Sequence, residues 1–596
     1  MFKKISYTLG IIIFVIFAFL ILKNANLSAF IDVIESRSFD LRQNIMINSG
    51  VKKPNKDIVI VAVDDASYEY ILDHYGEWPL PRDVYAKMIN YLEQQQPRSI
   101  AFDLMFVKSM KSADAADDKL VRSIASHNNV FVSMNFDNQP EALRTPPLLP
   151  EYLSVNLENN SKKIDFSDLT FTNCRAILQG ILSATKNVGI INVSRADDGV
   201  LRKMPLFMKY QDKFYPQLAL KVGMDYLRQT ENFSEPEKFV INKHSMVSVG
   251  KRKIFLDNDG SVILNWYGPE NTYTRIPMYE LIKEINGEKS GQEFDFSNRI
   301  IYFGTTAASL FDIKTVPTGK LYPGVEVQAT YVNNLIDDNF IKKAGRGVTV
   351  AVSVLLAAAI GFAVMRLRSA ALASLISLSV YFVYLLISYY SMRFGDLWLE
   401  VIYPLIFSIL AFTCAFIVKY LIKSRDFEQQ YKLATTDGLT ELYNHRYFQE
   451  QMQMQIEQSK RYEQPFSLII LDIDYFKQFN DRYGHQAGDA VLRQTAFLLK
   501  RNVRATDIVC RYGGEEMSII LPNTGEEEAL TTAEKICRII AEEPFKLRNG
   551  EESHVTVSIG VAAFPKDGET APDIIEIADR RLYNAKSSGR NTIGKD

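Results

Sequence analysis

Cysteine is scarce: the 596 residues hold four. Only Cys174 lies between residues 24 and 344, so that long stretch contains no internal disulfide, and no pair of the four has zinc-ligand spacing. Basic stripes are missing too. The formal net charge is −2, which argues against a nucleic-acid-coating surface and predicts no nucleic-acid partner. At 47% hydrophobic and 23% charged residues, the composition is that of an ordinary soluble chain, but the average hides a segregation. Four long apolar runs stand out, at 5–22, 348–365, 370–390 and 399–422. Each is near the ~20 residues that a helix needs to cross a bilayer.

Flanking charge orients these runs. Lys3 and Lys4 precede the first. Asn24-Ala25-Asn26-Leu27 after it lacks a small-x-small cleavage site, which reads as an uncleaved anchor rather than a signal peptide. Arg366-Leu367-Arg368 and then Lys419, Lys423 and Arg425 are basic, placing the N-terminus, the short loop and the C-terminal domain in the cytoplasm. Lys342, Lys343 and Arg346 fall on the opposite side, at the end of a loop long enough to translocate largely regardless of charge. The predicted protein is multi-domain and multi-pass in a bacterial cytoplasmic (inner) membrane. A cytoplasmic tip and first transmembrane helix occupy 1–23, and an extracytoplasmic domain 24–345. Three more transmembrane helices occupy 346–422, a linker 423–436 and a cytoplasmic domain 437–596.

In the outer domain, residues 57–65 read as a buried strand ending in acids, 84–95 as a helix and 99–106 as the next strand, hence an α/β fold. Further strands are expected at 188–193, 253–256, 262–267 and 299–303. Asp64, Asp65, Asp103 and Arg82 stand where open α/β sheets bind ligands, but the favoured reading is that they cap helices and tie loops to the sheet. Trp78 reads as a packing anchor.

The C-terminal domain concentrates its acids. Leu471-Asp472-Ile473-Asp474-Tyr475-Phe476-Lys477 ends an apolar run that reads as a buried strand. About forty residues on, Arg511-Tyr512-Gly513-Gly514-Glu515-Glu516-Met517 joins two β-rich runs, 508–512 and 517–521, in a predicted hairpin. With the hairpin beside the strand, Asp472, Asp474, Glu515 and Glu516 crowd one sheet edge. Such acids repel unless a cation sits among them, and hard divalent ions take oxygen ligands in company with substrate phosphates. Gly513 and Gly514 leave room for a ligand. Asp474 reads as structural. Lys586 and Arg590, four apart at a helix end, share a face.

These residues resemble the GGDEF family of diguanylate cyclases, over roughly 435–593. The resemblance includes Thr436-Asp437-Gly438-Leu439-Thr440, Asn480-Asp481, Tyr483-Gly484-His485, Gly488-Asp489, Val557-Ser558-Ile559-Gly560-Val561 and Ala585-Lys586-Ser587-Ser588-Gly589-Arg590-Asn591. It implies an α/β GGDEF domain with a mixed sheet like a nucleotidyl cyclase palm, joining two GTP into cyclic di-GMP. By motif position it implies metal ligands at Asp472, the Ile473 carbonyl and Glu515, with two Mg²⁺ (or Mn²⁺) per active site. Glu515 and Asp472 are catalytic, and Glu516 is supporting. Phosphates fall to Tyr475, Phe476, Lys477, Lys586 and Arg590, substrate contact also to Gly513 and Gly514, and guanine to Asn480 and Asp489. Arg504 and Asp507 match an inhibitory site for the product. Met517 stands where the family usually has Phe, and Glu441 and His445 where it more often has Gly and Arg.

The outer domain resembles the CHASE sensor domain of type two. The matching stretches are Val61-Ala62-Val63-Asp64-Asp65, Trp78-Pro79-Leu80-Pro81-Arg82, Ile100-Ala101-Phe102-Asp103, Asp198-Gly199-Val200-Leu201-Arg202 and Tyr322-Pro323-Gly324-Val325-Glu326. The joint expectation is a membrane-bound, product-inhibited cyclase working as a homodimer under an unknown extracytoplasmic ligand. The alternative is a weakened GGDEF domain acting as a receptor for GTP or cyclic di-GMP.

Overall fold

The computed structural model describes residues 25–596 except 51, 108–113, 140–146, 176, 194, 195, 197, 289–293, 311, 547–551 and 596, together with 8, 11, 12, 14–16, 18 and 20. The chain divides into two compact units, Met1–Ile417 and Val418–Asp596.

The first unit opens with helix α1 (Ala25–Asn48), which the sequence reading did not anticipate. The α/β body follows, with strand β1 (Ile58–Val63), helices α2 (Asp65–Tyr75) and α3 (Arg82–Glu93), and strands β2 (Ser99–Phe102), β3 (Val130–Asp137), β4 (Asn173–Arg175) and β5 (Val188–Ile190). Helix α4 (Leu218–Glu231) precedes β6 (Thr274–Pro277), β7 (Ile300–Thr305) and α5 (Gly324–Asp337). The sheet order is β6-β1-β7-β2-β3-β4, with β5 also on β3. Every pairing is parallel except β3 with β4. All residues of β1 and β2 are buried, as a sheet covered on both faces requires. One core lies on the side of α4 and α5, with Tyr302, Trp266 and Tyr331. The other contains Tyr85, Phe102, Phe106 and Phe303.

The acids singled out in the sequence do not converge here. The Asp64 carboxylate accepts from the Ser67 amide at 2.8 Å and caps α2. Asp65 lies in the first turn of that helix. Arg82 donates to the Val107 carbonyl at 3.1 Å and lies over the Phe106 ring. Burial, with Asp312 nearby, pushes the Asp103 carboxyl up to about 8, against the pull of Lys314. Trp78 packs edge-on to Tyr68.

Short strand β8 (Lys342–Lys343) leads to three helices long and apolar enough to cross a membrane: α6 (Arg346–Arg366), α7 (Ala370–Gly395) and α8 (Ile402–Thr435), with strand β9 (Leu397–Trp398) between the last two. The expected first span, 1–23, lies mostly outside the described residues. Of those described, Ile11 and Val15 are buried with Ala357, Ile360 and Phe407. Residues 423–435, expected as part of a separate linker, continue α8 without a break.

The second unit holds α9 (His445–Tyr462), β10 (Phe466–Ile473), α10 (Phe476–Tyr483), α11 (His485–Asn502), β11 (Ile508–Arg511), β12 (Glu516–Pro522), α12 (Glu526–Glu542), β13 (Val557–Phe564) and α13 (Ala571–Ser587). Its main sheet has the order β11-β12-β10-β13 and is antiparallel throughout, which corrects the expected mixed sheet. The β11–β12 hairpin lays β12 against β10 in the opposite sense. The chain then comes back through α12 to run β13 antiparallel along the other edge of β10.

Candidate active site

β10 is buried over its whole length, with Asp472 one residue before its last, Ile473, and Asp474 just past its end. The register sets Asp472 directly opposite Glu516 on β12 and Ser558 on β13. Directly opposed residues share a sheet face, with Cβ atoms about 5 Å apart. Asp472 is 7% exposed. Burial raises its pKa above the ordinary carboxylate value, Lys586 pulls it down, and Asp474 pushes it up again. The Glu516 carboxyl is likewise raised by burial and by Asp472, with Lys586 opposing. The Lys586 ammonium lies 3.0 Å from an Asp472 carboxylate oxygen.

The sequence reading gave Glu516 a supporting place and Glu515 the metal. In the structure Glu516 is the residue paired with Asp472, while Glu515 precedes the strand in the partly exposed turn. Gly513 lies close by: a Cβ on it would come 2.8 Å from a Glu516 carboxylate oxygen, the movable tip of that side chain. A third carboxylate escaped the sequence reading. Asp579 on α13 adds to the charge around Glu516, and burial raises its own pKa. The signal was present in the spacing, because Asp579 and Lys586 are seven apart on one helix and so lie on one face.

Among the described residues no group of three or more His, Cys, Asp or Glu side chains is gathered closely enough to cage a metal. The donor set nonetheless suits Mg²⁺, which is usually held by one or two carboxylates plus substrate phosphates. Asp472 and Glu516, both destabilised as anions, would supply those carboxylates were the ion bound.

Asp474 is structural, as expected. Its carboxylate accepts from Thr556 Oγ1 at 2.7 Å, Ser558 Oγ at 2.6 Å and the Asn591 amide at 3.0 Å, and so ties the strand exit to β13 and to the loop after α13. Tyr475 adopts the left-handed conformation, φ 57°, and turns the chain into α10. The first amides of that helix, at Phe476 and Lys477, have no intrahelical acceptor, and this makes the site ready for a phosphate. Arg590 reaches the same place. Its guanidinium lies 4.2 Å from the Tyr475 ring centroid and donates to the Tyr475 hydroxyl at 3.0 Å.

Beside it, α10 and α11 pack so closely at Gly488 that a Cβ there would meet Asn480 Oδ1 at 1.9 Å. Asn480 Oδ1 is buried without a hydrogen-bond partner, and Asp489 follows Gly488 on α11.

The hairpin is held by a contact the sequence reading did not assign. Arg511 donates to the Gly514 carbonyl at 2.8 Å and to Asp437 at 3.0 Å. Asp437 also accepts from the Thr440 amide and hydroxyl. Met517 is fully buried opposite Leu471, a place where its flexible chain fills the space of an aromatic. Glu441 has φ 56°, the conformation for which glycine is the usual choice. The His445 ring packs edge-on against Tyr512. Arg504 and Asp507 lie in the turn between α11 and β11. Asp507 accepts from the Arg504 amide at 2.7 Å, while its other oxygen, Oδ1, is buried without a partner.

Comparison with known proteins decides the family. The model described as "CHASE2 domain" matches residues 11–367, more than half of the chain, and the one described as "Diguanylate cyclase, GGDEF domain" matches 434–592. This chain belongs to the CHASE2 family and carries a GGDEF domain. Response regulator PleD of Caulobacter vibrioides is 44% identical over 163 residues, which cover 27% of this chain and 36% of PleD. Diguanylate cyclase A of Treponema denticola is 39% identical over 168 residues, 28% of this chain and 45% of that protein. The chain thus spans between a third and a half of the length of these two relatives. A solved GGDEF domain of DgcB from Caulobacter crescentus, in complex with c-di-GMP, is 37% identical and matches 27% of this chain and 95% of its own, with a TM-score of 0.26.

Proposed function

We propose that this chain is a diguanylate cyclase of the cytoplasmic membrane that joins two GTP into cyclic di-GMP and two diphosphates. The carrying observation is the directly opposed Asp472–Glu516 pair, set beside the N-terminus of α10 and within reach of Lys586. In the reaction the 3′-hydroxyl of one nucleotide attacks the α-phosphorus of another. Asp472, Glu516, Glu515 and the Ile473 carbonyl would hold Mg²⁺, which supplies positive charge for the attacking oxygen and the leaving diphosphate. The amides at Phe476 and Lys477, with the side chains of Lys477, Lys586 and Arg590, bind and orient the phosphates. Metal and substrate phosphates relieve the repulsion between the two raised carboxyls, so binding and charge neutralisation reinforce each other. Asn480 and Asp489 offer an acceptor pair to the guanine edge. One domain holds one GTP, so two copies face each other in the productive state. The four-span topology, with the GGDEF domain inside and the sensor outside, belongs to the same reading.

Full-length protein incubated with GTP and MgCl₂, with products identified by mass spectrometry, is expected to yield cyclic di-GMP. Unchanged GTP overturns the reading in favour of a nucleotide receptor. GTP should be preferred over ATP by about a hundredfold or more in kcat/KM, because a polar site rejects a base that leaves its groups unpaired. Asn480→Ala together with Asp489→Ala should shrink that ratio, as read in competition assays with both nucleotides.

Product inhibition is assigned to Arg504 and Asp507. Arg504→Ala is expected to leave initial turnover intact and to raise the concentration of added cyclic di-GMP needed for half-inhibition by about tenfold, the loss of one charged hydrogen-bonding partner. An unchanged inhibition curve removes the assignment.

A further inference from the structure

Helix α1 has two functional faces, and they point in opposite directions. Residues 35, 39, 42 and 46 recur at helical spacing on one side, and residues 37, 40 and 44 on the other. The second face grips the sensor body. Asp40 accepts a two-pronged pair of hydrogen bonds from Arg202, both at 2.7 Å. Arg202 also binds Asp198 at 2.7 Å, and Arg37 lies 3.7 Å from that same carboxylate. Asn44 donates to the Pro317 carbonyl at 2.8 Å. The sequence stretch Asp198-Gly199-Val200-Leu201-Arg202, so far without a role, is therefore the socket for α1.

The first face grips the start of α8. Glu35 is 1% exposed, and its carboxylate accepts from four donors: the Arg42 guanidinium at 2.8 Å, the Trp398 indole at 2.9 Å, and the amides of Val401 and Ile402, both at 2.8 Å. These two amides sit at the opening of α8, where donors have no acceptor inside the helix, and a carboxylate there also meets the positive end of the helix dipole. Arg42 in turn donates to Ser388 Oγ at 2.6 Å and to the Leu399 carbonyl at 2.8 Å. The Phe39 ring lies 4.3 Å from that of Trp398. A second tie joins the same connector to the sensor directly, through β8 paired with β9 and through Asn265, which donates to Asp396 at 2.8 Å.

We infer that α1 is the coupling element of the receptor: a helix clamped between the Asp198–Arg202 socket and the Glu35-capped start of α8, so that displacement of the socket is passed to the helix that continues through Thr435. The inference rests on contacts within the first unit and does not need the cyclase reading. Two features make it more than ordinary packing. Each face is anchored by a carboxylate in directional hydrogen bonds, Asp40 with Arg202 and Glu35 with the start of α8, so the contacts transmit position rather than merely exclude water. The capped helix is also the only apolar helix among the described residues that runs on beyond the first unit.

The test is hydrogen exchange on the full-length protein in lipid nanodiscs, without nucleotide. Asp40→Asn breaks the socket face only. It is expected to speed exchange of the Val401 and Ile402 amides about tenfold, with the sheet amides of β1 unchanged as a control for folding. Coupling is reciprocal, so the near-isosteric Glu35→Gln, on the other face, is expected to speed exchange in the 198–202 segment. An effect of either substitution confined to its own face of α1, with β1 still protected, overturns the inference. If Asp40→Asn exposes β1, Glu35→Gln decides alone. Absence of any product from GTP would sink the cyclase reading and leave this measurement untouched.

Discussion

Asp472→Asn is expected to reduce cyclic di-GMP formation by about a thousandfold or more without lowering the melting temperature of the protein. The charge supplied to the phosphoryl group through these carboxylates is worth several kcal/mol in the transition state, and each ~1.4 kcal/mol is tenfold in rate. Stability should hold because the wild-type arrangement is itself unfavourable: burial raises the pKa of both Asp472 and Glu516, and a neighbouring carboxylate adds to each, Asp474 to Asp472 and Asp472 to Glu516. A carboxyl whose folded pKa lies above its unfolded one binds its proton more tightly when folded. Between the unfolded value, near 4, and the raised folded value, lowering the pH therefore stabilises the metal-free protein, and raising it destabilises. Asp472→Asn should flatten that slope. Mg²⁺ should raise the melting temperature of the wild type at pH 8, raise it less as the carboxyls protonate, and have little effect on the variant. Thermal melts across pH with and without MgCl₂, beside product assays, check every part. Wild-type turnover in Asp472→Asn would remove the metal-site assignment. Parallel assays of Glu515→Gln and Glu516→Gln separate the two glutamates, and the register predicts that the Mg²⁺-dependent rise in melting temperature falls most with Glu516→Gln.

Gly560→Ala should cost the GGDEF unit about 3 kcal/mol, at the upper end of what overpacking a core does. A Cβ at this position on β13 would stand 2.0 Å from the Ala578 carbonyl oxygen and 2.5 Å from the Leu582 nitrogen, both backbone atoms of α13. Backbone cannot rotate aside as a side-chain tip can, so α13 must move off the sheet. That helix carries Asp579 and Lys586, and activity falls with it. The melting temperature of the C-terminal unit is expected to drop by about 6–12 °C, given the usual scaling for a domain of this size. A drop of under about 2 °C would show that α13 can give way at Gly560 without leaving the sheet. By contrast, Met517→Phe should change stability by less than about 1.5 kcal/mol, as similar-volume apolar exchanges do.

Much of this was legible in the chain. The apolar runs announced α6, α7 and α8 because a helix of that length and composition has few other places to go. β10 and the hairpin after it showed as apolar runs, whereas the structural role of Asp474 comes from its bonds to Thr556, Ser558 and Asn591 just past the strand end. Lys586 and Arg590 read as one helix face, but α13 ends at Ser587 and Arg590, at φ 63°, lies in the loop beyond it. The acids of the outer domain were read as caps and ties, and the Asp64 contact is of that kind.

What stayed illegible depended on distance along the chain. Strand register puts Glu516 opposite Asp472, a pairing that a one-residue step would undo by turning the side chain to the other face. The Arg511–Asp437 contact joins residues 74 apart, and Glu35 meets the start of α8 across 366 positions. By itself the sequence determined not helix α1 or the run of α8 through Thr435, but the long apolar helices, the buried strands β1 and β10, and which residue types crowd the end of β10. These follow from local periodicity and from the cost of burying polar groups. Only the tertiary structure decided which carboxylates face each other, how Lys586 is shared with Asp472, and that α1 holds the sensor on one side and α8 on the other. Register and docking are set by contacts between distant segments, which no local pattern encodes.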